Sequence, residues 1–202
     1  MSGAAQINSK RKPTPPARKP RADSARNRQL LIDAAKAGFA EVGLNVSLEE
    51  IARRAEVGIG TVYRHFPTRE AVVEAVYRRE VEQLAEAVPQ LLESWPAAEA
   101  LHRWMHLFVD YIATKRLIAP SLGAAAARTS SLHTTSVELI TGAISTLVKR
   151  AIASGAVRKD IDPSDLLRAL VGVSYGNPDA GWQASARRLI DILMDGLRRK
   201  SG

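Results

Sequence analysis

No cysteine occurs among the 202 residues, so a disulfide framework, a thiol nucleophile and a cysteine-ligated zinc site are all excluded. No uninterrupted apolar run reaches the roughly 18 residues that a membrane-spanning helix needs, and the first residues lack the apolar core of a secretion signal. A cytoplasmic location without a membrane partner is therefore expected. The alternation of apolar and polar residues that marks a half-buried strand is missing, as are a glycine-rich phosphate loop and a nucleophile elbow. These absences point away from an enzyme, and no cofactor is expected.

Acidic residues are scarce at the start of the chain. Within residues 1 to 28, eight basic residues (Lys10, Arg11, Lys12, Arg18, Lys19, Arg21, Arg26 and Arg28) face only Asp23; eight minus one is +7, against a formal net charge of +8 for the whole chain. The positive field is thus concentrated at one end of a nearly neutral body. Residues 1–23 also hold Pro13, Pro15, Pro16 and Pro20 among Ser, Thr, Lys and Arg, too little apolar surface to offset the entropy of ordering. A disordered basic arm that neutralises phosphates has this composition, and a solubilising tail has it equally.

The remainder is rich enough in apolar residues, 46% of the chain, to build a core, in one large or two modest domains. Leu30, Leu31, Ala34, Ala35, Phe39 and Val42 recur at three- and four-residue steps, predicting a helix from about Ser24 that Gly43 stops. Ser47 with Glu50 reads as a capping box opening a second helix through Leu48, Ile51 and Ala52. Gly58 and Gly60 then suit a sharp turn, and a short third helix covers Thr61 to Phe66. After Pro67, Thr68 is placed to cap a long fourth helix that reaches toward Leu92 and could bridge two domains.

Beyond Pro96, Leu101, Trp104, Met105, Phe108, Val109 and Ile112 begin a second core. A short Ala-rich helix is expected over Leu117 to Ala127, an amphipathic one over Val137 to Ala153 ending at Gly155, another over Ser164 to Tyr175, and a last over Gly181 to Arg199. The reading is all-α, with about nine helices.

Val46 to Thr68 therefore reads as helix, turn, helix. Arg28 to Val76, with LLIDAAKAGFAEVG followed by SLEEIARRAEVGIGTVYRHFPTREAVVEAV, resembles the amino-terminal domain of TetR-family transcriptional regulators. The resemblance rests on the spacing of Phe39, Gly43, Ile51-Ala52, Ala55, Val57, Gly60-Thr61, Tyr63, His65-Phe66 and Thr68-Arg69, and it covers about a quarter of the chain. It implies a helix-turn-helix DNA-binding domain at 24–70, joined by the long helix to an effector-binding and dimerisation domain at 71–202. It also implies that Thr61 and Tyr63 contact phosphates or the groove, that His65 contacts the backbone or caps, and that Arg69 grips a phosphate.

The hydroxyls of such residues fix register on the duplex, and Arg64 could reach guanine O6 and N7 or simply lie against a phosphate. Arg26, Arg28, Ser47, Gly60 and Thr68 complete the expected DNA-binding set. Many family members carry Ser where this chain has Gly58, and a basic or polar residue where it has Ile59. Neither can make a strong directional base contact, which leaves Thr61, Tyr63 and Arg64 to carry most of the discrimination.

For the second half the resemblance implies a small-molecule effector, a twofold dimer and, most often, repression of a palindromic operator. Trp104, Met105, Phe108 and Tyr111 are the expected pocket walls, with Thr135 as a polar contact and Trp95 and Trp182 as further candidates. Leu166, Leu170, Val173, Leu189, Leu193 and Leu197 mark the apolar stripes of the last two helices, suited to a four-helix dimer interface or to ordinary core packing. A rival class rests on His102, His106 and Asp110. At four-residue steps they share one helical face, as in a metal-dependent enzyme or metal sensor, although no second helix offers a matching Glu-x-x-His and a solvated face has the same pattern. A ligand-independent DNA-coating protein driven by the arm is the other alternative.

Overall fold

The computed structural model describes residues 20–122, 131–176 and 179–199. Most of the expected arm, residues 1–19, and the 123–127 part of the expected Ala-rich helix lie outside them; the arm's last residues, 20–23, are not disordered as expected but form the first turn of a helix that starts before Ser24. Among the described residues there are eight α-helices and no strand. They are α1 (Pro20–Val42), α2 (Leu48–Arg54), α3 (Ile59–His65), α4 (Arg69–Ser94), α5 (Ala97–Ile118), α6 (Ser131–Ala153), α7 (Pro163–Tyr175) and α8 (Trp182–Leu197).

Local signals place the first helices. Gly43 has φ +71°, the left-handed stop expected of it, and Gly155 after α6 has φ +75°. Ser47 Oγ accepts from Glu50 N at 3.1 Å and Thr68 Oγ1 from Ala71 N at 3.2 Å, so each hydroxyl satisfies an orphan donor at a helix start. The reciprocal half of the capping box is absent. The Glu50 carboxylate turns instead to Arg53 and Arg54, and Arg54 continues to Glu41 of α1 at 2.7 Å. The α2–α3 turn also differs from expectation: its left-handed residue is Glu56, with φ 55°, while Gly58 has φ −68° and caps α3.

Leu31, Ile32, Ala35 and Phe39 of α1, Ile51 and Ala52 of α2, Val62 of α3, and Phe66 bury one small core, onto which Val72, Val73 and Val76 of α4 pack. Gly38 sits where a Cβ would come within 3.0 Å of Val46 Cγ2, so the glycine lets the chain before α2 close against α1.

Helix α4 then leaves this head and packs most extensively against α5 and α6. It continues through Pro89 to Ser94, and Pro96 precedes α5. Helix α5 runs on to Ile118 and ends in a 3-10 turn at Ala119–Leu122, so Leu117 closes α5 instead of opening a new helix. Trp104 and Met105 are fully buried, and the Trp104 indole donates to the Leu84 carbonyl at 2.8 Å. A buried Trp with its N–H satisfied is a pinning point between α4 and α5; truncation to Ala would cost about 3–5 kcal/mol. Helix α8 packs on α5 and α7, and its end is tied back where Arg158 N donates to the Leu197 carbonyl at 3.0 Å.

Candidate nucleic-acid interface and effector cavity

Around α3, the side chains that stay out of the core face solvent. Val62 and Phe66 are buried, whereas Tyr63 is 49% exposed, Ile59 39%, and Arg64 is exposed. A Cβ placed on Gly58 or Gly60 would meet nothing within 4 Å. These glycines are therefore not demanded by packing inside the chain; they leave the start of α3 bare of side chains on either side of Ile59. Arg64 folds back along the helix, Nε donating to the Gly60 carbonyl and Nη2 to Thr61 Oγ1, both at 3.1 Å. Its donors are thus parked on neighbours that a phosphate or base edge could replace.

The other expected contacts divide. Arg26 is exposed on α1, and the Arg28 guanidinium lies 5.3 Å from the centroid of the Phe66 ring. His65 is half-buried beside Phe66. Ser47 and Thr68 spend their oxygens on the caps described above. Arg69 departs most from expectation: its Nη1 donates to the Val46 carbonyl at 2.6 Å, and its Nη2 is buried without a partner among the described residues. That guanidinium ties the start of α4 to the loop before α2, and no local sequence pattern announces a bond across 23 residues.

The second half contains a cavity of about 140 Å³ between α4, α5, α6 and α7. Phe108 and Tyr111 line it as expected; Trp104 and Met105 do not, because both point into the core between α4 and α5. Thr135 lines a separate cavity of about 270 Å³ with Arg78, Glu82 and Leu139. Trp95 is exposed beneath Arg103, and Trp182 is buried beneath Arg116, so neither lines the first cavity. Sequence reasoning missed Tyr77 of α4 and Lys115 of α5. Tyr77 and Tyr111 bring their hydroxyls to 3.3 Å, and the Lys115 ammonium lies 5.9 and 5.8 Å from the two ring centroids. Lys115, one helical turn after Tyr111, was detectable from spacing alone.

A buried carboxylate links this region to the head. Glu80 of α4, 7% exposed, pairs with Lys36 of α1 at 2.7 Å and accepts from Thr114 Oγ1 of α5 at 3.1 Å. Three helices meet on one charged group.

The expected triad His102, His106 and Asp110 does not assemble. Arg187 of α8 takes Asp110, and Asp191 of α8 comes to 2.8 Å of His102 Nε2 and 3.2 Å of His106 Nε2. Contact with His102, and after it His106, holds the Asp191 carboxyl below its usual range. With Arg187 also against His106 Nδ1, this is a hydrogen-bonded seam between α5 and α8.

Of the expected dimer residues, Leu166, Leu170 and Leu197 are buried inside the chain's own core and are not free to face a second copy. Val173 and Leu193 are half-buried, and Leu189 is exposed. The apolar surface left open on the last two helices is instead Val171 and Tyr175 of α7 with Leu189 and Ile192 of α8, the last 66% exposed.

A helix-turn-helix head whose third helix presents its polar side outward, carried by one long helix on an all-helical body, defines a DNA-binding regulator. Comparison with known proteins narrows the class. Residues 31–76 match the family described as bacterial regulatory proteins, tetR family, and residues 96–199 match the SbtR-like transcriptional regulator C-terminal domain. The structure of the TetR transcriptional regulator SCO0520 from Streptomyces coelicolor is 42% identical, with a TM-score of 0.78 over 86% of this chain and 99% of that one. A TetR transcription regulatory protein from Mycobacterium vanbaalenii is 32% identical, with a TM-score of 0.72 over 89% of this chain and 99% of that one. The HTH-type regulator SAR0097 of Staphylococcus aureus is 26% identical over 99 residues; that match spans 46% of this chain and about half, 51%, of the other. The chain belongs to the TetR family of transcriptional regulators. No helix among the described residues is long and apolar enough to cross a membrane.

Proposed function

We propose that this protein is a cytoplasmic, homodimeric repressor that binds a palindromic operator through α3 and is released when a small molecule enters the α4–α7 cavity. Residues 24–70 act as the reading head and 71–202 as the effector-binding and dimerisation part. The observation that carries the reading is the open face of α3: Tyr63 and Arg64 exposed, Thr61 beside them, and nothing within 4 Å of a Cβ on Gly58 or Gly60. A major groove would meet the α3 backbone closely there, with Thr61 and Tyr63 fixing register and Arg64 exchanging its internal bonds for DNA.

Val171, Tyr175, Leu189 and Ile192 support dimerisation, since four apolar side chains left exposed on two adjoining helices suit a shared interface. Two copies with their α3 helices about 34–36 Å apart would enter successive major grooves. Helix α4 begins at the head, and its Tyr77 lines the cavity about 12 Å further along, eight residues at roughly 1.5 Å each. An effector that prefers a different tilt of α4 would weaken DNA binding by its differential affinity for the two states.

Replacing Tyr63 by Ala tests the reading head. Operator affinity should fall about tenfold, a loss of roughly 1.4 kcal/mol, while circular dichroism stays unchanged and the thermal midpoint falls only slightly, because about half of the residue is already in solvent. Unchanged affinity would remove α3 from the interface.

A further inference from the structure

The α4–α7 cavity is donor-rich and poor in negative charge, which says what it would hold. Lys115 carries the one fixed charge among the described lining residues; no Asp or Glu lines the space. Among the described residues no carboxylate lies within 4 Å of its ammonium, which rests instead over the Tyr77 and Tyr111 rings. The two phenols share a single contact, so one hydroxyl proton is spent and the other is free. Ser136 spends its own proton on the Leu132 carbonyl at 2.6 Å. Burial pushes the Tyr111 phenol far up from its usual range, so it remains a neutral donor. Around these donors Phe108, Ile112, Ile140 and Leu167 supply apolar wall.

We propose that this cavity binds a small organic carboxylate, its anionic end on Lys115 and the free tyrosine hydroxyl and its apolar body against Phe108 and Leu167. The proposal rests on reading the cavity as the effector site and names the class of effector. The ammonium lies against two aromatic rings and, among the described residues, has no carboxylate beside it; an anionic ligand completes it, whereas an ammonium ligand would meet a like charge. At about 140 Å³ the cavity is close to the size that accepts a single benzene ring and well below the roughly 300–1,000 Å³ of drug-sized sites. A single-ring or short-chain acid fits within the cavity itself.

The test uses the full-length protein with benzoate, phenylacetate and hexanoate, set against benzamide and benzylamine, in thermal-shift and calorimetric titrations. At least one acid should bind and raise the melting temperature, with benzylamine silent. Lys115→Met, which keeps the aliphatic stem, should weaken that acid by about tenfold or more, while Lys115→Arg retains most of the affinity. Val137→Trp, which grows a large side chain from a half-exposed cavity wall, should abolish binding and locate the site. Equal affinity for acid and amide, a preference for benzylamine, or an acid affinity unmoved by Lys115→Met would overturn the anion assignment while leaving the cavity as effector site. If no probe of any charge responds to Val137→Trp, the effector-site reading itself falls, and the proposal with it.

Discussion

Replacing Lys36 by Met strands the Glu80 carboxylate, and the size of the resulting loss follows from the geometry. Glu80 is 7% exposed and has two partners, the Lys36 ammonium at 2.7 Å and the Thr114 hydroxyl at 3.1 Å. Breaking a fully buried pair costs about 3–5 kcal/mol, but the Lys36 side chain is 45% exposed, so water screens the pair and reaches the stranded charge; about 1–3 kcal/mol is the discounted expectation. For a chain of this length that is a drop of roughly 2–4 °C in melting temperature per kcal/mol, or about 4–8 °C for the middle of the range. Glu80→Gln should cost less, about 1 kcal/mol, because the amide still accepts from Thr114 and leaves no charge behind.

The double variant is the discriminating one. With both charges gone it should be more stable than Lys36→Met alone, and urea denaturation of the four proteins at one fixed protein concentration closes the cycle. If Lys36→Met and Glu80→Gln are equally mild and simply additive, the clasp carries no interaction and cannot couple α1 to α4 and α5.

Three further outcomes are expected. Glu50 is held down at about 2 by hydrogen bonds from Arg53 and then Arg54, so its contribution to stability is intact above its ordinary value of 4.5 and lost as pH falls toward 2; acid titration of Glu50→Gln should lack that component. Ile192→Glu places a charge on the most exposed apolar residue of α8 and should shift the protein from two chains to one in sedimentation without lowering helix content; an unchanged mass would put the interface elsewhere. Deleting residues 1–20 removes Lys10, Arg11, Lys12, Arg18 and Lys19, and if these meet phosphates the slope of log affinity against log salt should flatten by up to about 4.5. An identical slope would leave the arm as a solubilising tail.

The head was largely legible in the sequence because its determinants are local. The apolar steps from Leu48 to Phe66, the cap hydroxyls of Ser47 and Thr68 and the left-handed Gly43 each act within one helical turn, and each occurs where expected. What escaped depends on partners far apart in the chain. Arg69 bonding Val46, Asp191 displacing Asp110 beside His102 and His106, and Lys36 meeting Glu80 leave no short-range pattern. Periodicity likewise reports that α7 and α8 have apolar stripes but not what the stripes meet. Leu166, Leu170 and Leu197 turned out to face their own core, and the open surface is carried by Val171, Tyr175, Leu189 and Ile192. The cavity was half legible: Phe108 and Tyr111 line it, while Trp104 and Met105 are packing residues, since a helix face heavy in aromatics can fill space or border it with the same spacing.

Footprinting of the purified protein on the DNA flanking its own gene is the most direct test that α3 reads an operator as a dimer. Protection of a palindrome with half-site centres about one helical turn apart is the predicted result, lost in Tyr63→Ala and relieved by whichever acid binds beside Lys115. Uniform protection without a palindromic site, unaltered by Tyr63→Ala, would contradict it.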